Sequence, residues 1–300
     1  MRTLVVLCLM MMFGVTSLAA DLDGLVHRAV RETREQFAEH KVDDDALAVT
    51  VIDMRDRPQP RTGSFRGTEP IFPASVVKLF YLAATHDALE GGQLQDSEEL
   101  RRTMRDMIVT SSNDATGMIV DALAGVPNGE PLPEEQMQQW SHKRHAVNRY
   151  FAGLGYTGIN VCQKTYCEGP YGRERIFIGE KFENRNKLTT DATAQLMREI
   201  VLEQSVTSAR SKEMMTLLQR DLKSNDSQAR DFIGKALPAG SKLWSKAGWT
   251  STARHDAAYI ETPDGVKAII VIFSTGHSRQ QELVPTIAGK IINGLQQPGE

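Results

Sequence analysis

Strand patterns occur only near the two ends of this 300-residue chain, and helical patterns fill the sequence between them. Near the start, residues 46–53 (ALAVTVID) and a segment near residues 63–68 are typical of strands, separated by a turn in RDRPQPRTG. Near the end, SKLWSKAGW, HDAAYIET and VKAIIVIFSTG predict three more strands joined by short turns. The two ends must therefore meet to complete one five-stranded antiparallel sheet.

Amphipathic patterns predict a helix at each terminus, over residues 22–39 and 280–295. Residues 71–239 are mostly typical of helices, apart from a stretch at residues 153–187 that shows no steady period. We therefore predict an α/β (α+β) fold in which the terminal helices flank the sheet and the middle forms an all-helical lobe. A cleft between the lobes is the natural place for a functional site.

The first twenty residues differ from the rest of the chain. Arg2 is followed by an apolar run and then by the small residues of TSLAA, which is the layout of a secretory signal peptide. A retained membrane anchor is the competing interpretation, although the run is short for a transmembrane helix. We expect residues 1–20 to be removed and residues 21–300 to form a single periplasmic or secreted domain. Its sheet lobe would take about 21–70 and 240–300, and its helical lobe 71–239.

The composition is that of an ordinary soluble protein, with a formal net charge of −3 and 41% hydrophobic residues. This balance gives no electrostatic reason to expect a nucleic-acid partner. Beyond the leader the chain has two cysteines, Cys162 and Cys167, and such a close pair in an exported chain suggests a disulfide. Free thiols and zinc binding are the alternatives. The one closely spaced histidine pair, in SHKRH, favours a solvated helix face, so no metal or cofactor is expected.

The apolar run IFPASVVKLF contains a single lysine, Lys78, three residues after Ser75. Positions i and i+3 share one face of a helix, so the amine can reach the hydroxyl. Ser75 should lie in the first turn of the helix, where the helix dipole favours a developing negative charge. Burial among apolar neighbours should lower the pKa of Lys78 and let it act as a base toward the serine.

Two further motifs follow, SSN at residues 111–113 and SKAG at residues 245–248. An S-x-x-K tetrapeptide alone is weak, because about one is expected in a chain of this size. The motifs S-x-x-K, S-D-N and K-T-G, however, form the set found in class A β-lactamases and penicillin-binding proteins. With its motifs at a helix start, an inter-helix loop and a strand, the chain resembles a divergent member of the class A β-lactamase and serine penicillin-recognising hydrolase family. The resemblance is weakest over residues 125–187.

The resemblance implies a role for each matched position. Ser75 would be the nucleophile, Lys78 its general base, and Ser111 the relay that passes a proton to the leaving nitrogen. Asn113 would bind the amide side chain of the substrate, and Lys246 would hold Ser111 and the substrate carboxylate. Taken singly, Ser111 and Asn113 are explained as well by helix capping, and Lys246 by a solvated strand.

The end of the SKAG strand is implied to complete the substrate site. The backbone N–H groups of Ser75 and Trp249 would form an oxyanion hole. Gly248 would let the substrate lie against the strand without a Cβ clash. Arg254 resembles the carboxylate-binding arginine of the family. Ala247 lacks the hydroxyl usual in the family, so one of the hydroxyl groups at residues 250–252 is a candidate substitute.

The group that would hydrolyse the acyl-enzyme is not evident. Class A β-lactamases use a glutamate in an E-x-x-L-N pattern, and the chain has no such pattern. Counting back from KLTTDATAQLM without gaps gives Glu174, and Glu168 lies close by in YCEGP. For each of them, an exposed loop carboxylate is the preferred interpretation.

We therefore predict an exported, monomeric serine hydrolase that opens β-lactams, which are cyclic amides, through an acyl-serine intermediate. The first alternative is a D-Ala-D-Ala peptidase or another penicillin-binding acyl hydrolase that acts on a peptidoglycan-like acyl-D-Ala substrate. The second is a catalytically impaired binding protein of the same fold. We expect no cofactor, no nucleic-acid partner and no stable membrane insertion.

Overall fold

The computed structural model describes residues 22–166 and 169–297. The predicted signal peptide, Cys167 and Glu168 lie outside these residues. No helix in the described part of the chain is long and apolar enough to cross a membrane.

The α-helices are α1 Leu22–Gln36, α2 Lys78–Glu90, α3 Glu98–Ile108, α4 Asn113–Ala124, α5 Glu134–Arg144, α6 Ala146–Gly153, α7 Gly172–Ile178, α8 Thr190–Val201, α9 Ser208–Leu218, α10 Ser227–Arg230 and α11 Leu283–Gln296. The strands are β1 Leu47–Asp53, β2 Arg61–Phe65, β3 Gln219–Arg220, β4 Lys242–Trp249, β5 Ala253–Glu261 and β6 Lys267–Thr275.

The described strands form one antiparallel sheet in the order β2-β1-β6-β5-β4-β3. The N-terminal and C-terminal strands meet as predicted, since β1 pairs with β6 along its whole length. Within the described residues the sheet has six strands rather than the predicted five. The additional strand, β3, has only two residues, paired with Trp244 and Leu243 of β4. Two residues are too few to show the alternation by which a strand is recognised in a sequence.

Helices cover both faces of the sheet and divide the apolar core into two clusters. On one face α1 and α11 pack on the sheet, with Val26, Val49 and Ile287 fully buried. On the other face the helical lobe packs on the sheet, and α2 is buried along almost its whole length. Because both of its faces are covered, the interior of β6 is buried at every position, which explains its unbroken apolar run in the sequence.

The turn between α3 and α4 interrupts what the sequence presents as one helical region. Ser111 has a φ of +58°, a left-handed conformation that stops the first helix. Ser112 then starts the second helix, because its side chain accepts a hydrogen bond from the backbone N–H of Ala115 at 3.1 Å. Capping therefore falls to Ser112, which leaves the side chains of Ser111 and Asn113 available for other contacts.

Gly63 in β2 lies against the backbone of α1. A Cβ at this position would stand 2.4 Å from the carbonyl carbon of Leu22 and 2.6 Å from the nitrogen of Asp23. We expect Gly63→Ala to lower the free energy of unfolding by about 1–3 kcal/mol, the usual cost of overpacking. Gly153→Ala is the matched control, because a Cβ there would meet nothing within 4 Å. Urea unfolding followed by circular dichroism measures both variants, and equal midpoints would contradict the assigned contact.

Candidate active site

Ser75 lies in a short 3-10 helix, Ala74–Val77, that continues directly into α2. Ala74 has a φ of +47°, a conformation that is strained for a residue with a Cβ. The backbone N–H of Ser75 belongs to the first turn, where helical N–H groups lack an intrahelical partner. The side chain of Ser75 is half-buried and lines a cleft of about 680 Å³. This turn therefore places near the cleft both the hydroxyl group of Ser75 and a backbone N–H that has no intrahelical acceptor.

Lys78 is fully buried one turn after Ser75 and joins the first two motifs. Its Nζ donates to the backbone oxygen of Ser111 at 2.5 Å and lies 3.2 Å from the Ser111 Oγ. It also donates to Oδ1 of Asn113 at 2.9 Å. The amide nitrogen of Asn113 in turn donates to the backbone oxygen of Tyr166 at 3.0 Å. The structure thus brings Lys78, Ser111 and Asn113 together, and Asn113 lines the same cleft as Ser75.

Lys246 in β4 is also fully buried, but it does not hold Ser111 as predicted. Its Nζ donates to Oε1 of Gln228 and to the backbone oxygen of Ala247, both at 2.6 Å. Burial lowers the pKa of Lys246 well below its usual range, and the positive charge of Lys78 lowers it further. The two amines therefore face a common region, while the hydrogen bonds of Lys246 are directed to α10 and to its own strand.

Gly248 has a packing role that the sequence did not predict, and its predicted role toward the substrate stays a prediction. A Cβ on Gly248 would stand 2.7 Å from the nitrogen of Ser75, 2.8 Å from that of Val76 and 2.9 Å from the Pro73 oxygen. The glycine is therefore needed so that β4 can pack against the turn that carries Ser75. Trp249 follows at the end of β4, is 45% exposed and lines the cleft. This close approach places the end of β4 beside the Ser75 N–H, as the predicted oxyanion hole requires.

Arg254 does not face the cleft, contrary to its predicted role in binding a carboxylate. It is 8% exposed, and its Nη2 donates to the backbone oxygen of Asp231 at 2.7 Å. Its guanidinium lies 4.2 Å from the centre of the Phe232 ring, and Phe232 contacts Trp249. Of the hydroxyl groups near Ala247, that of Thr250 belongs to a residue that lines the cleft. Arg254 thus positions the segment that supports Trp249.

The comparisons with known proteins decide the family. Residues 99–294 match the model of the Beta-lactamase enzyme family. The chain belongs to this family. No curated protein matches the chain significantly.

Solved structures show where this beta-lactamase family member stands among its relatives. A beta-lactamase from Sphaerobacter thermophilus is 18% identical, with a TM-score of 0.63 and 92% of this chain and 99% of that chain covered. A beta-lactamase from Chitinophaga pinensis is 17% identical, with a TM-score of 0.65 and coverage of 89% and 99%. A class A beta-lactamase from Mycobacterium abscessus is 13% identical, with a TM-score of 0.65 and coverage of 90% and 100%. The resemblance predicted from the sequence, to a divergent member, is confirmed.

Glu174 of this family member is neither an exposed loop carboxylate nor a residue of the cleft. Its side chain is fully buried, and its carboxylate accepts hydrogen bonds from Nη2 of Arg144 and, at 3.1 Å, from the hydroxyl of Tyr166. Burial raises the pKa of Glu174, while the charges of Arg144 and Lys164 oppose this rise. Arg144 also pairs with Asp121 at 2.9 Å. Glu174 therefore belongs to an internal ion pair between α7 and α5, and among the described residues no carboxylate lines the cleft.

The other residues of the predicted deacylation and disulfide sites are only partly described. Glu168 and Cys167 lie outside the described residues. Cys162 is buried and has no disulfide partner among the described residues, and its Sγ donates to Oδ1 of Asn160 at 3.1 Å. Burial raises the pKa of Cys162 to about 12. The disulfide and the role of Glu168 stay predictions.

Two residues that the sequence did not reveal connect the motifs. Arg220 in β3 donates through Nη2 to the backbone oxygens of Ser245, at 2.9 Å, and Ile108, at 3.0 Å. Gln228 donates to the backbone oxygen of Val109 at 2.9 Å while it accepts from Lys246. Together they tie the strand of the third motif to the turn that carries the second. A two-residue strand and a one-turn helix give no periodic signal that could have indicated them.

We expect Glu174→Gln to lower the free energy of unfolding by about 3 kcal/mol, because it removes one partner of a buried ion pair. The value is at the lower end for such pairs, since Asp121 still faces Arg144. Glu180→Gln, on the exposed part of the same loop, is the control. Urea unfolding measures stability, and intact-mass spectrometry measures the lifetime of any penicillin adduct. A much longer adduct lifetime in Glu174→Gln without a loss of stability would show that Glu174 is a base instead.

Asp256 in β5, opposite Ala247, gives a prediction about pH. Burial raises its pKa from 3.8 to about 7, although the Ile233 N–H and the charge of Lys246 oppose the rise. A carboxyl whose pKa is raised on folding holds its proton more tightly in the folded state. Its contribution to stability is therefore complete below pH 3.8 and is lost as pH rises to about 7.

Asp256→Asn removes this titration. We expect the free energy of unfolding of the wild type, minus that of the variant, to fall as the pH is raised between about 4 and 7. Urea unfolding at a series of pH values measures the difference, with Asp45→Asn at an exposed position as the control. A difference that does not change with pH would contradict the assignment.

Proposed function

We propose that the chain is an exported serine hydrolase that reacts with β-lactams through an acyl-serine ester at Ser75. One observation carries the proposal: the buried amine of Lys78 contacts Ser111 and Asn113 one turn from a serine that lines the cleft. Membership of the Beta-lactamase enzyme family supports the same reaction class. Export rests on the leader pattern of the first twenty residues.

The proposed acylation uses the residues around Lys78. The Ser75 Oγ attacks the lactam carbonyl carbon while Lys78 accepts the hydroxyl proton, a step that requires Lys78 to lose its own proton first. The new C–O bond forms, the lactam C–N bond breaks, and the proton reaches the leaving nitrogen through the Ser111 hydroxyl, 3.2 Å from Nζ. The Ser75 and Trp249 N–H groups would stabilise the oxyanion, with β4 held beside the nucleophile by the contact at Gly248.

The fate of the acyl-enzyme separates two candidate functions. No described carboxylate lines the cleft, and Glu174 is engaged by Arg144 and Tyr166. Without a base to activate water, the ester is long-lived, and the protein behaves as a penicillin-binding acyl hydrolase of the D-Ala-D-Ala peptidase kind. This observation favours slow over rapid β-lactam turnover. Glu168, beyond the described residues, is the carboxylate that would restore rapid turnover.

Intact-mass spectrometry of the purified protein over time with benzylpenicillin tests the proposal. We expect one covalent penicillin per chain and a slow return to the free mass, because water lacks an activated path to the ester. Ser75→Ala should abolish the adduct, whereas Ser208→Ala, at an exposed position at the start of α9, should keep it. Adduct formation or cephalosporin turnover that persists in Ser75→Ala would refute the proposed nucleophile. Rapid release that is slowed by Glu168→Gln would assign the faster reaction to Glu168.

A further inference from the structure

The loop side of the cleft carries positive charge that the described residues only partly neutralise. The described lining includes Lys164, Arg175 and Arg185 and has no carboxylate. Lys164 is paired with Asp121, since its Nζ lies 2.5 Å from Oδ2. The guanidinium groups of Arg175 and Arg185, in contrast, make no hydrogen bond or ion pair with the described residues. Within the part of the chain that the structure describes, two cations without an ionic partner therefore line the cleft that contains Ser75.

Arg185 is held in a defined position although its guanidinium N–H groups make no hydrogen bond to the described residues. Its guanidinium carbon lies 3.9 Å from the centre of the Phe72 ring and 5.6 Å from that of Phe182. Phe72 is itself fixed, because its backbone oxygen lies 2.9 Å from Nε2 of His255. Phe72 comes three residues before Ser75, so the stack adjoins the turn of the proposed nucleophile. A guanidinium stacked on an aromatic ring with free N–H groups is suited to planar, bidentate recognition of an anion.

The strand side of the cleft offers no comparable group. Arg254 is turned to Asp231 and Phe232, and Lys246 is buried with its hydrogen bonds satisfied by Gln228 and Ala247. Among the described residues that line the cleft, the cations without an ionic partner thus lie on the loop side. Asn113 lies on that side as well, since its amide bonds the loop at Tyr166. Under the proposed function, the acyl side chain of the substrate is the part that meets Asn113.

We propose that the cleft selects acyl groups that carry an anionic substituent, a carboxylate or sulfonate, and that Arg185 binds this anion with help from Arg175. The proposal rests on the proposed function for the identity of the acyl group. A purely structural clamp of Phe72 and Phe182 by Arg185 is the competing interpretation. The two differ because a clamp has no preference for the charge of the ligand.

Three penicillins that differ at one carbon of the side chain make the test. Benzylpenicillin is neutral there, carbenicillin carries a carboxylate and ampicillin carries an ammonium group. We expect acylation rate constants, measured by intact mass at low salt, to fall in the order carbenicillin, benzylpenicillin, ampicillin. The first and last should differ by about tenfold or more, as for one charge-assisted contact of about 1.4 kcal/mol. The preference should weaken as salt is added.

Variants of the loop arginines separate recognition from a structural role. Arg185→Gln should bring the carbenicillin-to-ampicillin ratio close to one, and Arg185→Lys should keep part of it because the charge remains. Arg175→Gln should have the smaller effect, since Arg175 is the more exposed of the two. Arg28→Gln, on exposed α1 at the other face of the sheet, should leave the ratio unchanged. A uniform loss with all three penicillins in Arg185→Gln would overturn the proposal in favour of the clamp.

Equilibrium binding to Ser75→Ala keeps this inference separate from the proposed function. Titration calorimetry with the same three penicillins reports selection by charge without any covalent step. Preference for carbenicillin in binding, with no acylation of the wild type, would refute the proposed function and support the anion site. Acylation at equal rates with all three penicillins, unchanged in Arg185→Gln, would support the proposed function and refute the anion site. Neither acylation nor binding would overturn both.

Discussion

The buried amine of Lys78 is the contact on which the rest of the site depends. An amine removed from water has to be satisfied by fixed acceptors, and the acceptors here come from the turn between α3 and α4. This requirement fixes the distance between α2 and that turn, and with it the positions of Ser111 and Asn113. The same lysine lowers the pKa of Lys246 through its charge, so its influence extends to the third motif. The geometry of the candidate site and the local packing therefore both depend on this side chain.

The features that the sequence predicted were those with a local signature. The apolar alternation of the end strands, the start of α2 at the S-x-x-K motif and the turn at SSN all depend on neighbours within a few positions. For this reason the sheet, the two helical layers and the proximity of Lys78 to Ser111 and Asn113 could be predicted before the structure was known. The prediction of family membership rested on the order of these same motifs, and the match of residues 99–294 to the Beta-lactamase enzyme family confirms it.

The features that the sequence did not predict depend on partners distant along the chain. Glu174 can be buried because it forms an ion pair with Arg144. Arg144 lies 30 positions earlier in the chain, so the sequence around Glu174 does not indicate this partner. Lys246 turns to Gln228 for the same kind of reason, and the neighbour of Gly248 is the backbone of the Ser75 turn rather than open cleft. A residue type limits which chemistry is available, but the partner that uses it is chosen by tertiary packing.

The pairing of β1 with β6 has a consequence for how the chain reaches its native state. Val49 of β1 lies opposite Ile272 of β6. β1 is synthesised early and can pair with β6 only after nearly the whole chain has been made. Contacts so distant along the chain cost much loop-closure entropy and slow folding. The complete sheet therefore cannot form until β6 has been synthesised. A truncation that removes β6 leaves β1 paired with β2 alone and separates this hairpin from the rest of the sheet.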